Sequence, residues 1–330
     1  MINAEAVAQL LEGRPVAVIG AGLVGAGWAI VFARAGAQVR VYDAQPGAAA
    51  NACELVGVQL REMAEFGLVE DVATIRARIR SSDTLAQALE DVAYVQESIF
   101  ENVDVKRALY AQLDGVLPAN AMVGSSTSGI PASVFVEGLA IAKRLLIVHP
   151  VNPPYLVPVV ELVPSPLTSP DVLAFATRFM EALGQSVVLV RKEVEGFVLN
   201  RLQGALLREA WALVEEGVAS CADIDATVRD GLGWRWSFMG PFETIDLNAP
   251  GGVADYARRL GGLYLSIDKS RDHARAWSDE LIAEVDRQRR AALAIAELPQ
   301  RRAWRDRQLM AIAARDAADA PNAPDAGGAD

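Results

Sequence analysis

The stretch Val16-Ala17-Val18-Ile19-Gly20-Ala21-Gly22-Leu23-Val24-Gly25, followed by a helical segment through Ala35, decides the reading of this chain. A short apolar run suited to a buried strand leads into G-x-G-x-x-G, and the turn opens a helix, the context that gives this motif meaning. Gly20 allows the tight turn, Gly22 lets the backbone approach a pyrophosphate, and Gly25 lets helix and strand pack closely. The helix start then offers free N–H groups and a partial positive charge to phosphates. A second apolar run, Val39 to Tyr42, ends at Asp43. A carboxylate there accepts hydrogen bonds from the adenosine ribose hydroxyls and repels a 2′-phosphate. No basic residue immediately follows Asp43, so the expected cofactor is NAD rather than NADP.

Outward from this turn the first 190 or so residues alternate short apolar runs with helical stretches, the βαβ pattern. Strands are expected at 16–19, 39–42, 94–96, 122–125, 145–148, 159–163 and 187–190, several of them unbroken Val/Ile/Leu runs typical of parallel strands buried on both faces. From 195 to 310 the periodicity is helical, with breakers at Gly231, Gly233, Pro250 and Gly251-Gly252. The expected fold is therefore α/β: an N-terminal Rossmann-type doubly wound sheet over 1–192 and a C-terminal all-helical domain over 193–315. Residues 316–330 carry no apolar side chain larger than alanine or proline and read as a disordered tail.

Composition narrows the function classes. The chain has 330 residues, 52% of them hydrophobic, and a net charge of −11, which argues against a nucleic-acid partner because phosphate binding wants a basic face. Two isolated cysteines, Cys53 and Cys221, make neither a disulfide framework nor a metal site, and they read as small apolar residues in a reducing compartment. The start, Met1-Ile2-Asn3-Ala4-Glu5, lacks the basic region of a secretory signal. The apolar stretch 15–32 holds four glycines and meets Arg34, so it reads as buried core rather than a membrane span. A cytoplasmic location is expected, with no membrane partner and no metal.

Of two histidines, His273 sits among Arg271, Asp272 and Arg275 and reads as a surface residue. His149 closes the run Leu145–Val148, at a strand's carboxyl end, where open α/β sheets bind ligands. Glu161 interrupts Val159-Val160-Glu161-Leu162-Val163, and a carboxylate buried there is costly unless paired. His149 is the natural partner, and an arginine is the alternative. Ser128 follows a strand in Gly124-Ser125-Ser126-Thr127-Ser128-Gly129, where Ser125 and Ser126 read as capping or backbone-bonding hydroxyls. Asn200 shares a helical face with Phe197, Gly204, Leu207 and Trp211, so its amide needs either a backbone carbonyl or a substrate.

With these residues in view, the sequence resembles the 3-hydroxyacyl-CoA dehydrogenase superfamily, and more closely its lambda-crystallin/L-gulonate 3-dehydrogenase branch. The resemblance lies in the glycine turn, in Gln96-Glu97-Ser98-Ile99-Phe100-Glu101-Asn102, in His149-Pro150-Val151-Asn152-Pro153-Pro154-Tyr155, in Gly196 to Gln203, and in Phe238-Met239-Gly240-Pro241 through Asn248. It implies that His149 is the general base and Glu161 its orienting partner, and that Ser128 and Asn200 bind the substrate hydroxyl and the neighbouring oxygen. It further implies that Leu23, Val24, Asp43, Glu101 and Lys106 contact NAD; taken alone, Glu101 and Lys106 read as an exposed helix pair. Arg235 matches an arginine of the gulonate branch, and a guanidinium suits a free carboxylate. The flanking Trp234 and Trp236 depart from that branch, and they are either core or the lining of a pocket for a less polar substrate.

The expected activity is NAD-dependent oxidation of a 3-hydroxy acid to the 3-oxo acid, on an L-gulonate-like substrate, by a homodimer joined through the helical domain. A short-chain 3-hydroxyacyl-CoA ester and L-carnitine are the alternative substrates. Two other classes compete. A hydrolase built on Ser128, His149 and Glu161 would leave the glycine turn unexplained and lacks G-x-S-x-G. A dinucleotide-binding sensor or structural protein would have no use for that catalytic set.

Overall fold

The strands that form are the unbroken apolar runs, and they form because both of their faces can be covered. In the computed structural model, which describes residues 2–271 and 276–319, eight strands make one sheet: β1 (Val16–Ile19), β2 (Val39–Tyr42), β3 (Ile79–Ser81), β4 (Tyr94–Glu97), β5 (Met122–Ser125), β6 (Leu145–Pro150), β7 (Val159–Pro164) and β8 (Ser186–Leu189). Their order is β3-β2-β1-β4-β5-β6-β7-β8. Pairing is parallel from β3 across to β6, antiparallel between β6 and β7, and parallel again between β7 and β8. The order 3-2-1-4-5-6 is that of the dinucleotide-binding sheet, whose strand order reverses between β1 and β4 and opens a crevice beyond their carboxyl ends. The edge strand β3 was not expected from the sequence. It is three residues long, and two of those are the exposed Arg80 and Ser81.

Burial follows the pleat. Val16 and Val18 belong to the core on one face of the sheet, while Ala17 and Ile19 belong to the core on the other. The first core is aromatic, with Trp28, Phe32, Tyr94, Phe175 and Phe179 in contact at centroid distances of 5.0 to 6.3 Å. The apolar stretch 15–32 is buried core: the helix Leu23–Arg34 buries every residue from Gly25 to Ala33. Among the described residues no helix is long and apolar enough to cross a membrane.

The chain divides into two compact units, 1–201 with 301–330, and Leu202–Gln300. The boundary expected at 192 thus falls a few residues later. The larger difference is the last helix, Leu298–Asp319, which from Arg301 onward belongs with the sheet unit and not with the helical one. Its Met310 is fully buried in the sheet unit's core, and its Arg307 pairs with Glu65 at 2.9 Å. Periodicity shows that this segment is a helix, but not which surface receives it. The helix also runs through 316–319, the start of the expected tail, whose remaining residues 320–330 lie outside the described ones.

The helical unit, taken alone, has little interior. Among its described residues only Thr244 and Leu281 are buried. Arg271 ties its segment down by bonding Glu209 and Glu216, and Trp277 stacks on Trp211 with centroids 4.3 Å apart. Cys53 is buried in the sheet unit, Cys221 is half-buried in the helical one, and both are free. Replacing Met310 by alanine should lower the stability of the sheet unit by about 2–4 kcal/mol through the cavity it leaves, as measured by urea unfolding.

Candidate active site

Two glycines of the turn, Gly20 and Gly25, are required by what surrounds them. Gly20 has φ +100°, and a Cβ there would stand 2.4 Å from the Ser98 carbonyl oxygen. A Cβ on Gly25 would meet the Gly20 carbonyl oxygen at 1.9 Å, so only glycine allows helix and strand this close. A Cβ on Gly22 would meet nothing within 4 Å: the space beside it is open, as an approaching pyrophosphate needs. Gly22 caps the helix Leu23–Arg34 without any side-chain hydrogen bond, which leaves the first-turn N–H groups of Leu23 and Val24 to a ligand. Asp43 is fixed at the end of β2 by accepting from Ala21 N at 2.7 Å and Gln45 N at 2.8 Å, with lone pairs to spare for ribose hydroxyls. These residues fit NAD.

Beside the turn lies a buried charge network. Glu97, at the end of β4, is fully buried and accepts from Lys106 Nζ at 2.8 and 3.0 Å, Tyr110 O–H at 2.8 Å, Ile99 N at 2.7 Å and Ser125 O–H. Lys106 is therefore not half of an exposed helix pair. Its ammonium is fully buried, and it lies 3.9 Å from Glu101 Oε2. Glu101 Oε1 accepts from Thr127 Oγ1 at 2.6 Å, Ser128 N at 2.9 Å and Gly129 N at 3.1 Å. One oxygen of Glu101 thus shapes the Ser128 loop, while Oε2 has no hydrogen bond among the described residues. Glu97, Tyr110 and Ser125 escaped the sequence reading. Their only signal was Lys106 and Tyr110 at a four-residue spacing below a strand-end carboxylate. Ser125 accepts from a local backbone group, Thr127 N at 3.4 Å, as expected, but both hydroxyls also serve side chains: Ser125 donates to Glu97, and Ser126 accepts from Trp28 Nε1 and Gln96 Nε2.

The antiparallel register of β6 and β7 sets His149 directly opposite Glu161. His149 Nδ1 and Glu161 Oε2 are 2.7 Å apart, and both side chains are buried. Among the described residues Glu161 pairs with no arginine. Its second oxygen accepts from Val198 N at 2.8 Å and Leu199 N at 2.9 Å, free N–H groups at the start of the helix Leu199–Glu215. Burial alone would raise the Glu161 carboxyl. The hydrogen bonds from His149, Leu199 and Val198 outweigh that and hold it below the usual carboxylate range. Phe197 is not on the helical face expected for it. It precedes the helix with φ +50° and packs its ring 5.6 Å from the His149 ring.

Asn200, in the first turn of that helix, donates its amide to the Ser128 carbonyl oxygen. Ser128, His149, Glu161, Asn200 and Glu101 thus form one connected set within the sheet unit. The Ser128 hydroxyl is exposed and makes no hydrogen bond to His149, so no Ser–His nucleophile is assembled. Arg235 lies in the helical unit, on the short helix Gly233–Trp236, half-buried and without an ion pair among the described residues. Trp234 is 72% exposed and Trp236 40%, so neither is core of this chain. His273 lies outside the described residues, among which no group of His, Cys, Asp and Glu is arranged to hold a metal ion.

Replacing Glu161 by glutamine should cost about 1–3 kcal/mol at neutral pH, since Gln cannot satisfy all three donors with charge. The folded carboxyl titrates below the unfolded one, so its contribution is fully present above the ordinary carboxylate range. It is lost as pH falls through the lowered value. The stability gap between Glu161→Gln and the wild type should therefore close on acidification, as urea unfolding at a series of pH values would reveal.

The family described as 3-hydroxyacyl-CoA dehydrogenase, NAD binding domain, matches residues 15–194, and its C-terminal domain matches 196–289. Lambda-crystallin of Oryctolagus cuniculus is 39% identical over 303 residues, covering 90% of this chain and 95% of that protein. L-carnitine dehydrogenase of Streptomyces coelicolor is 41% identical over 249 residues, covering 75% of this chain and 78% of that protein. Among solved structures, 5-formyl-3-hydroxy-2-methylpyridine 4-carboxylic acid 5-dehydrogenase, described as an NAD+-dependent dismutase, superposes with a TM-score of 0.79 at 27% identity, covering 91% of this chain and 97% of that one. The glycine turn, Asp43 and the strand-end histidine thus sit in a chain that belongs to the 3-hydroxyacyl-CoA dehydrogenase family of NAD-dependent dehydrogenases.

Proposed function

We propose that this dehydrogenase oxidises the hydroxyl of a 3-hydroxy acid to the 3-oxo acid, with His149 as general base. The observation that carries this reading is the bond from His149 Nδ1 to Glu161 Oε2. A carboxylate on Nδ1 makes that nitrogen the donor and leaves Nε2 as the acceptor, at the end of the sheet where ligands bind. Bound NAD, held by Gly20, Gly22, Leu23, Val24, Gly25, Asp43 and Glu101, supplies the hydride acceptor. As hydride leaves the carbinol carbon, His149 Nε2 takes the hydroxyl proton, and Glu161, kept ionised by its three donors, balances the imidazolium charge. Ser128 and Asn200 hold the substrate oxygens. Lys106 acts on the cofactor through Glu101, because its own ammonium is given to Glu97.

Arg235 supports a free carboxylate as substrate anchor: it has no ion pair among the described residues, and a planar guanidinium matches a carboxylate by two parallel bonds. The relatives support the same class from another side, one of them being an L-carnitine dehydrogenase. A 3-hydroxyacyl-CoA ester is the second reading, favoured by the family's own description. The enzyme is proposed to work in the reducing cytoplasm, where its two cysteines stay free.

We further propose that the helical unit forms a homodimer. The helices Leu199–Glu215 and Gly252–Lys269 bury none of their residues, and Leu202, Leu263, Tyr264 and Leu265 are more than half exposed. A unit with two buried residues among those described has too little interior to stand unsupported. Sedimentation equilibrium should report a dimer, and Leu263→Asp should shift it towards monomer; a wild-type monomer at micromolar concentration would contradict the dimer.

His149→Ala should lower kcat by at least about 1,000-fold while NADH still binds, and near-normal turnover would sink the assignment. Following NADH formation with L-gulonate, L-carnitine, 3-hydroxybutyrate, its CoA ester and aromatic 3-hydroxy acids separates the substrate classes. Arg235→Leu should raise KM for the free acids far more than for the CoA ester.

A further inference from the structure

Ser98 stands at the end of β4 with its backbone pressed on the glycine turn, its carbonyl oxygen filling the place of a Gly20 Cβ. Its hydroxyl oxygen is 2.9 Å from Ser126 Oγ, a distance that leaves open which of the two donates. The groups behind them decide it. Ser126 Oγ receives the Trp28 indole N–H at 3.0 Å and the Gln96 amide N–H at 2.8 Å. An indole nitrogen can only donate. The Gln96 amide is oriented by its other contacts: Nε2 also faces the Val148 carbonyl at 3.4 Å, which only accepts, and Oε1 receives the Tyr94 hydroxyl at 2.6 Å. Complete burial of Tyr94 pushes its pKa far up, so it keeps the proton it donates. With both lone pairs of Ser126 taken by N–H groups, its one proton points at Ser98. Ser98 Oγ accepts that proton, and its own O–H has no acceptor among the described residues.

The chain of bonds is built in, since a Cβ on Gly124 would stand 2.0 Å from the Tyr94 hydroxyl and 2.9 Å from Gln96 Oε1. We propose that Ser98 is a cofactor-contact residue, its hydroxyl turned outward by Trp28, Gln96 and Ser126 to donate to a ribose or pyrophosphate oxygen of NAD lying over Gly20–Gly22. The half-buried Ser98 lies where the strand order reverses, beside the open space at Gly22. This rests on the assignment of NAD to the glycine turn, which NADH binding by the wild-type chain tests separately.

The test is titration of NADH and of ADP-ribose into the full chain, NADH followed by its fluorescence and ADP-ribose by its displacement of NADH. Ser98→Ala should raise the dissociation constant of both ligands by about five- to tenfold, the range of one hydrogen bond. Ser98→Thr, which keeps the hydroxyl, should recover most of the loss. Binding of NADH to Ser98→Ala within twofold of wild type would overturn the proposal. So would equal losses in Ser98→Ala and Ser98→Thr, or a loss for NADH that ADP-ribose does not share.

Discussion

Glu161 is a carboxylate taken out of water in the middle of an apolar strand, and the local structure is arranged around making that tolerable. Burying an ion there costs several kcal/mol unless its lone pairs are filled. Three donors fill them: the His149 ring across the antiparallel pair and the two N–H groups at the start of the helix Leu199–Glu215. The same carboxylate therefore fixes the tautomer of the histidine and caps the helix that carries Asn200. One buried charge thus orients the His149 ring and satisfies the start of the helix Leu199–Glu215.

Glu97 repeats the device on the cofactor side. It too is a strand-end carboxylate without water, compensated by a lysine, a tyrosine, a serine and a backbone N–H. Lys106 in turn lies near Glu101, whose other oxygen gathers the Thr127–Gly129 loop. Lys106, which the family resemblance marks as a cofactor contact and which taken alone reads as half of an exposed helix pair, has its ammonium buried against Glu97. Buried networks of this kind are rigid when fully satisfied and costly when any member is removed. That is what a site must be if a hydride is to travel a fixed, short distance.

Much of the fold was legible in the residues themselves. Continuous apolar runs such as Val16–Ile19 and Leu145–Val148, too short for helices, read as strands buried on both faces, and the strand limits agree with the structure to within a residue or two for every strand foreseen. The three glycines of the turn were legible because their G-x-G-x-x-G spacing between a strand and a helix is itself the signal. What escaped was short or non-local: β3, with one buried residue of three, and Glu97, whose partners come from the helix Val103–Val116 and from β5. Likewise Ser125 and Ser126 resemble any hydroxyl-rich turn until the strands beside them are in place.

By itself the sequence determined the α/β pattern, the cofactor turn, its carboxylate Asp43, and a histidine and a glutamate each out of place in an apolar strand. These follow from periodicity, backbone sterics and the cost of burying charge, all of which act within a few residues along the chain. Only the tertiary structure decided that β7 runs antiparallel to β6, so that His149 faces Glu161 and not an arginine. It also decided that Lys106 is spent on Glu97, and that the last helix returns to the sheet unit through Met310. Those outcomes depend on which distant surfaces meet, and residue spacing along a chain carries no information about that.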